Sequence, residues 1–140
     1  MKTSARNQFL GKIVEIKEGA VNAEVALDIG GDELIAGITL DSLKHLNLTE
    51  GMEVYGLIKA QWIILCEDNN LKTSARNRLC GTIARCHEGA VNSEVILELP
   101  GGKHLTAIIT NESYRELGFK PGIRACALIK ASHVILAVAS

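Results

Sequence analysis

The sequence predicts an all-β chain made of two tandem copies of one small unit, each copy with a single short helix. Three observations carry this. Blocks of sequence recur: Thr3-Ser4-Ala5-Arg6-Asn7 returns as Thr73-Ser74-Ala75-Arg76-Asn77, Glu18-Gly19-Ala20-Val21-Asn22 as Glu88-Gly89-Ala90-Val91-Asn92, and Leu57-Ile58-Lys59-Ala60 as Leu128-Ile129-Lys130-Ala131. Apolar residues alternate with polar ones, the period of half-buried strands. Glycine-rich turns punctuate the alternation, Gly30-Gly31 in one copy and Pro100-Gly101-Gly102 in the other, and the extra residue in the second turn accounts for the one slip in the repeat spacing.

The elements follow in order. Phe9 to Ile16 alternates in part and reads as a strand, and Gly19-Ala20-Val21-Asn22 as a turn. In the strand from Ala23 to Ile29, Val25, Leu27 and Ile29 share one face, while Glu24 and Asp28 share the other. Gly30-Gly31-Asp32 is a hairpin turn into a third strand, Leu34 to Ile38. Leu40, Leu43 and Leu46 then recur at helical spacing, with Thr39 as N-cap and Asp41 in the first turn. Met52 to Leu65 carries the last strand or pair of strands. The second copy opens its helix at Thr110-Asn111-Glu112-Ser113 and turns at Pro121-Gly122. About five strands and one helix per copy fit a small barrel of the OB type. The predicted architecture is two such barrels, over 1–66 and 73–140, joined by a polar linker at 67–72. Units this small bury a modest share of their surface, so association with neighbours is expected.

Composition narrows the function classes. Apolar residues are 47% and charged residues 22% of the 140, the balance of a folded soluble chain. No apolar run reaches the ~20 residues of a membrane helix, and no signal-peptide core follows the N-terminus. A net charge of −1 and 4% aromatics argue against nucleic acid as partner. The cysteines form no C-x-x-C pair, so Cys66, Cys80, Cys86 and Cys126 read as reduced residues of a cytoplasmic protein.

Chemistry shared by both copies must use positions filled alike in both. His45, His87, His104 and His133 face Glu116, Lys17, Glu33 and Trp62, so no histidine recurs, and no nucleophile–base set recurs either. An enzyme is not expected. What recurs is a set of donors: Ser4 and Arg6 with Ser74 and Arg76, Lys59 with Lys130, Thr39 and Ser42 with Thr110 and Ser113. Cations and hydroxyls without carboxylates suit a fully deprotonated oxyanion, and the helix start at Thr39 adds oriented N–H groups. The opposing reading has Arg6 paired with Glu18 or Glu24, which also recur, and Lys59 merely reaching to solvent. The Gly-Ala-Val-Asn turns offer either a second anion nest or a purely structural turn. Two readings of another class stay open, an OB module for single-stranded nucleic acid and a purely structural assembly protein.

In order and spacing, Thr-Ser-Ala-Arg-Asn, Glu-Gly-Ala-Val-Asn-x-Glu-Val, Ile-Thr-x-x-Ser and Leu-Ile-Lys-Ala closely resemble the Mop domain of the molbindins, here in tandem over nearly the whole chain. The resemblance implies a cytoplasmic protein that binds molybdate, or tungstate as its near-isostere, for storage and homeostasis. It also implies a homotrimer in which six such units share one body. The related regulator of molybdate transport joins these domains to a helix-turn-helix; no such motif is visible here, so a repressor role is not expected. Carried over residue by residue, the resemblance assigns oxyanion binding to Ser4, Ala5, Arg6, Lys59 and Ala60, and to Ser74, Ala75, Arg76, Lys130 and Ala131. Both alanines that follow the lysines can offer only a backbone N–H. Thr39, Ser42, Thr110 and Ser113 would come from a neighbouring subunit. Further anions on a symmetry axis would meet Gly19, Ala20, Val21 and Asn22, and Gly89, Ala90, Val91 and Asn92.

Overall fold

A computed structural model describes residues 2–139. The first half runs β1 (Asn7–Glu18), β2 (Asn22–Asp28), β3 (Glu33–Thr39), α1 (Leu40–His45), β4 (Glu53–Ile58), a 3-10 turn (Ala60–Trp62) and β5 (Ile64–Glu67). The second repeats it as β6 (Asn77–Glu88), β7 (Asn92–Glu98), β8 (His104–Thr110), α2 (Asn111–Leu117), β9 (Arg124–Ile129), a 3-10 turn (Ala131–His133) and β10 (Ile135–Ala137). The all-β class and the single helix per repeat are as the sequence predicts. Both helices begin at the threonine N-cap: Ser42 N–H donates to Thr39 Oγ1 and Ser113 N–H to Thr110 Oγ1. The first strand outruns its predicted ends and bulges between Ile13 and Glu15, which lets one long strand bend from one neighbour to the other.

The strands form two five-stranded sheets with the orders β10-β4-β1-β2-β3 and β5-β9-β6-β7-β8. Each sheet takes its edge strand from the other half of the chain. The 3-10 turn after β4 carries the chain across, and β5 pairs with β9 (Ile64 opposite Leu128) while β10 pairs with β4 (Ile135 opposite Leu57). Folded bodies and sequence repeats therefore do not coincide over their last strands. Exchange costs little, because an identical element makes nearly identical contacts in either place. Leu65 and Leu136, one from each exchanged strand, are buried in the same apolar cluster as Ile13, Val25, Leu27, Leu34, Ile83, Leu97 and Leu105.

Two buried asparagines knit the halves. Asn7 donates its amide to Ile58 O and Thr106 O and accepts from Thr106 N–H, reaching from β1 to β8. Asn77 does the same to Ile129 O, Ile35 O and Ile35 N–H, reaching from β6 to β3. The two glycine turns also meet. Gly31 has φ +95, and a Cβ there would stand 2.8 Å from Pro100 O. Gly51 has φ +93 with open space around it. Gly31→Ala is expected to destabilise by ~1–3 kcal/mol, and by more than Gly51→Ala, which adds backbone strain alone; paired urea denaturation curves check the order.

One expectation is corrected. Cys80 and Cys126 are joined in a disulfide rather than reduced, because the antiparallel register of β6 and β9 sets them directly opposite. Cys66 and Cys86 are free. Among the described residues, no helix is long and apolar enough to cross a membrane.

Candidate oxyanion site

The register builds the site at the ends of the central strands. Asn7 pairs with Ile58 and Asn77 with Ile129, so Arg6 flanks Lys59 and Arg76 flanks Lys130 just beyond the paired residues. Ser74, Ala75 and Lys130 line one cleft with Thr73, Trp62 and His133. The rings of Trp62 and His133, one from each 3-10 turn, lie with centroids 4.9 Å apart and planes tilted by 37°, and Lys59 Nζ lies 5.4 Å from the Trp62 ring centre.

The Thr-x-x-Ser elements lie in other clefts, each shared between the two halves of one chain. Thr39, Ser42, Asn22 and Glu24 of the first half face Ala131 and Ser132 of the second across a cleft of ≈ 580 Å³. Thr110, Ser113 and Asn92 of the second half face Gln61 and Ile64 of the first across ≈ 420 Å³. The exchange of β5 and β10 causes this, since it lays each 3-10 turn against the third strand of the other half; a Cβ on Gly37 would lie only 3.4 Å from Ala131 Cβ. The partner of the Thr-x-x-Ser element within the chain is therefore the other repeat. Lys130 lines the cleft that holds Ser74, and the next residue, Ala131, lines the cleft that holds Thr39.

Not every predicted donor is free. Arg6 is bound to Glu94 at 2.7 Å and Arg76 to Glu24 at 3.1 Å. The carboxylates recur as the opposing reading required, but each guanidinium reaches across to the other repeat. Glu24, held by Arg76, is itself part of the wall that carries Thr39 and Ser42. The Ala5 and Ala75 amides donate to Thr3 and Thr73 hydroxyls. Leu40 N–H goes to Val21 O and Ser42 N–H to its cap, so of the first three amides of the helix only that of Asp41 has no partner within the chain.

Other donors remain. Thr39 Oγ1 donates to Ser42 Oγ at 3.0 Å, which leaves the Ser42 hydroxyl hydrogen for an outside acceptor, and Thr110 and Ser113 repeat this. The first bond of each 3-10 turn runs from Trp62 N–H to Lys59 O and from His133 N–H to Lys130 O. The amides of Ala60 and Gln61, and of Ala131 and Ser132, precede those bonds and have no acceptor within the turn. In the Gly-Ala-Val-Asn turns, Gly19 and Gly89 N–H groups close on Asn22 O and Asn92 O, and Val21 and Val91 are exposed at the tips.

Position-by-position comparison of the repeats passed over several of these residues. Trp62 and His133 differ in type, so recurrence between the repeats gives no sign that their rings meet. Ser132 and Gln61 differ too, yet occupy equivalent places in the two shared clefts. Asn7 and Asn77 stood inside the repeated pentapeptide, a signal that was present and carried no assignment of its own.

The chain matches the TOBE domain twice, over residues 3–65 and 73–136. Over 99% of its length it is 50% identical to, and superposes with a TM-score of 0.95 on, the whole chain of the cytoplasmic molybdate-binding protein ModG, solved with molybdate bound. It is 45% identical over 139 residues to the molybdenum transport protein ModE of Azotobacter vinelandii and 45% identical over 140 residues to the molybdenum-pterin-binding protein MopA of Rhodobacter capsulatus. These alignments take in 99% of this chain, 52% of ModE and 53% of MopA, so the chain spans about half the length of the curated relatives it matches. With both repeats matched and the full-length ModG chain so close, the chain belongs to the TOBE-domain family, in its tandem Mop-type form.

Proposed function

We propose that this protein captures molybdate, and tungstate as a near-isostere, reversibly and without covalent change, for storage and homeostasis in the cytoplasm. The observation that carries the reading is that, in each of two equivalent clefts, a serine from one repeat faces the start of the 3-10 turn of the other, Ser42 across from Ala131 and Ser132 and Ser113 across from Gln61. A dianion needs several directed donors, and charge-assisted hydrogen bonds are the strong ones. The match to ModG over the whole of both chains supports the choice of anion.

The clefts are larger than one tetrahedral oxyanion needs, so further walls are required. Ile64 and Ile135 are 64% and 52% exposed at the cleft walls, and Trp62 at 39% stands beside them. Apolar surface of this kind is what a second and third copy would cover. A homotrimer that closes the clefts and brings the Lys59 and Lys130 ammonium groups onto the anions is the assembly proposed. The Gly-Ala-Val-Asn turns would then meet on its axis. Binding at such interfaces stabilises the assembly by linkage.

Calorimetric titration of molybdate into the full chain tests this. Saturable binding of molybdate without binding of sulfate is the expected result, and no heat with either anion sinks the proposal. In the Ser42→Ala/Ser113→Ala variant the affinity is expected to fall by roughly 5–30-fold, about 1–2 kcal/mol for one hydrogen bond per site. The ModE relatives favour a second reading, in which this fold is the anion-sensing part of a regulator. Molybdate-dependent binding to double-stranded DNA would separate that reading from storage.

A further inference from the structure

Three cysteines stand in one row across the second sheet. Cys66 on β5 is the register partner of Cys126 on β9, and Cys126 is in turn the register partner of Cys80 on β6. Directly opposite residues of antiparallel strands project to the same face. The row therefore has a free thiol on one side of Cys126 and the Cys80–Cys126 disulfide on the other. Thiol–disulfide exchange needs an attacking sulfur, a central sulfur and a leaving sulfur in sequence, and the three strands set them out in that order. Cys126 is buried, while Cys66 and Cys80 are partly exposed. The corresponding row in the first sheet is Ala137, Tyr55 and Leu10, so this chemistry belongs to one sheet only.

We propose that Cys66, Cys126 and Cys80 form a redox site in which the Cys66 thiolate attacks Cys126 Sγ and expels Cys80, moving the cross-link from β6–β9 to β5–β9. The Cys66–Cys126 bond forms as the Cys80–Cys126 bond breaks. Cys80 leaves as the thiolate and takes up a proton equivalent to the one Cys66 released to water. One disulfide and one thiol stand on each side of the step, so no oxidant or reductant is consumed.

The charged groups around the row set its pH dependence. Burial pushes the Cys66 thiol up, with Asp68 and Glu67 acting in the same direction, while the Arg78 guanidinium from β6 opposes them. Asp68 itself is held by Arg124 of β9 at 3.1 Å and by Arg78 at 3.7 Å. Attack requires the thiolate, so exchange accelerates as pH rises. The consequence is structural. β5 comes from the first half of the chain, and its Ile64 and Leu65 wall the cleft that holds Thr110 and Ser113. Exchange pins that borrowed strand to its host sheet by a covalent bond, and this holds whatever the cleft binds.

Peptide mapping of the whole protein tests it. Samples are kept at pH 7 or pH 9 without reductant, alkylated with iodoacetamide, and digested with trypsin without reduction. A preparation isolated fully reduced is first oxidised with one equivalent of diamide. The three cysteines fall in separate peptides, 60–72, 79–85 and 125–130. At pH 7 the expected bond joins 79–85 to 125–130, with Cys66 labelled. Sampled over time, the 60–72 to 125–130 product within a single chain, with Cys80 labelled instead, appears several-fold faster at pH 9 than at pH 7, and Cys66→Ser abolishes it. Cys66 fully labelled at both pH values, with no 60–72 to 125–130 peptide, overturns the proposal.

Discussion

Replacing Asn7 by alanine is expected to destabilise the protein by ~2–4 kcal/mol, and Asn77→Ala by somewhat less. Asn7→Ala strips three buried backbone groups of a partner, Thr106 N–H, Thr106 O and Ile58 O, whereas Asn77→Ala strips the buried Ile129 O and the half-buried Ile35 N–H and Ile35 O. An orphaned buried group costs ~1–3 kcal/mol, and relaxation recovers part of it. Asn7→Asp is the sharper probe. It keeps an acceptor for Thr106 N–H but turns the amide donor into oxygen aimed at two carbonyl oxygens, so it is expected to be at least as damaging as alanine. Denaturant midpoints at one fixed protein concentration measure the effect, because oligomerisation shifts apparent stability. Midpoints within error of wild type for both alanine variants would remove the asparagines from any role in joining the halves.

The largest expected effect on binding is in Arg6→Ala/Arg76→Ala, a loss of molybdate affinity of roughly 10–100-fold. Each guanidinium is about half exposed and already occupied by Glu94 or Glu24. It can help the anion in two ways, by leaving the carboxylate to bind the oxyanion or by staying to neutralise the carboxylate in the cleft wall. Glu24→Gln tightens binding in either case, since it removes a negative charge beside a dianion. The combined Arg76→Ala/Glu24→Gln variant separates the two. A direct donor leaves that variant clearly weaker than Glu24→Gln alone, whereas a purely neutralising arginine leaves it close to Glu24→Gln. Calorimetry across the four proteins decides, and unchanged affinity in Arg6→Ala/Arg76→Ala would exclude both roles.

The thiol row and the shared clefts have one origin, the exchange of the last strands. Without β5 on the second sheet, Cys66 would not face Cys126. Without the crossing 3-10 turns, Ser132 and Gln61 would not face Ser42 and Ser113. A tandem repeat thus places its most functional-looking residues at the seam between its copies, where each half completes the other.

The sequence alone determined what is local. The repeat, the two threonine caps, the glycine turns and the alternating strands follow from rules that act over a few residues, and Thr39 and Thr110 cap as their neighbours require. The list of recurring donors was legible for the same reason. Tertiary structure decided the partners: Glu94 rather than Glu24 for Arg6, Cys126 for Cys80, and the other repeat for each serine. The two copies have near-identical patterns, so a strand satisfies either sheet with almost the same contacts and local sequence cannot choose between them. That choice is made by long-range packing, and it alone turns a pair of similar sequences into two shared clefts.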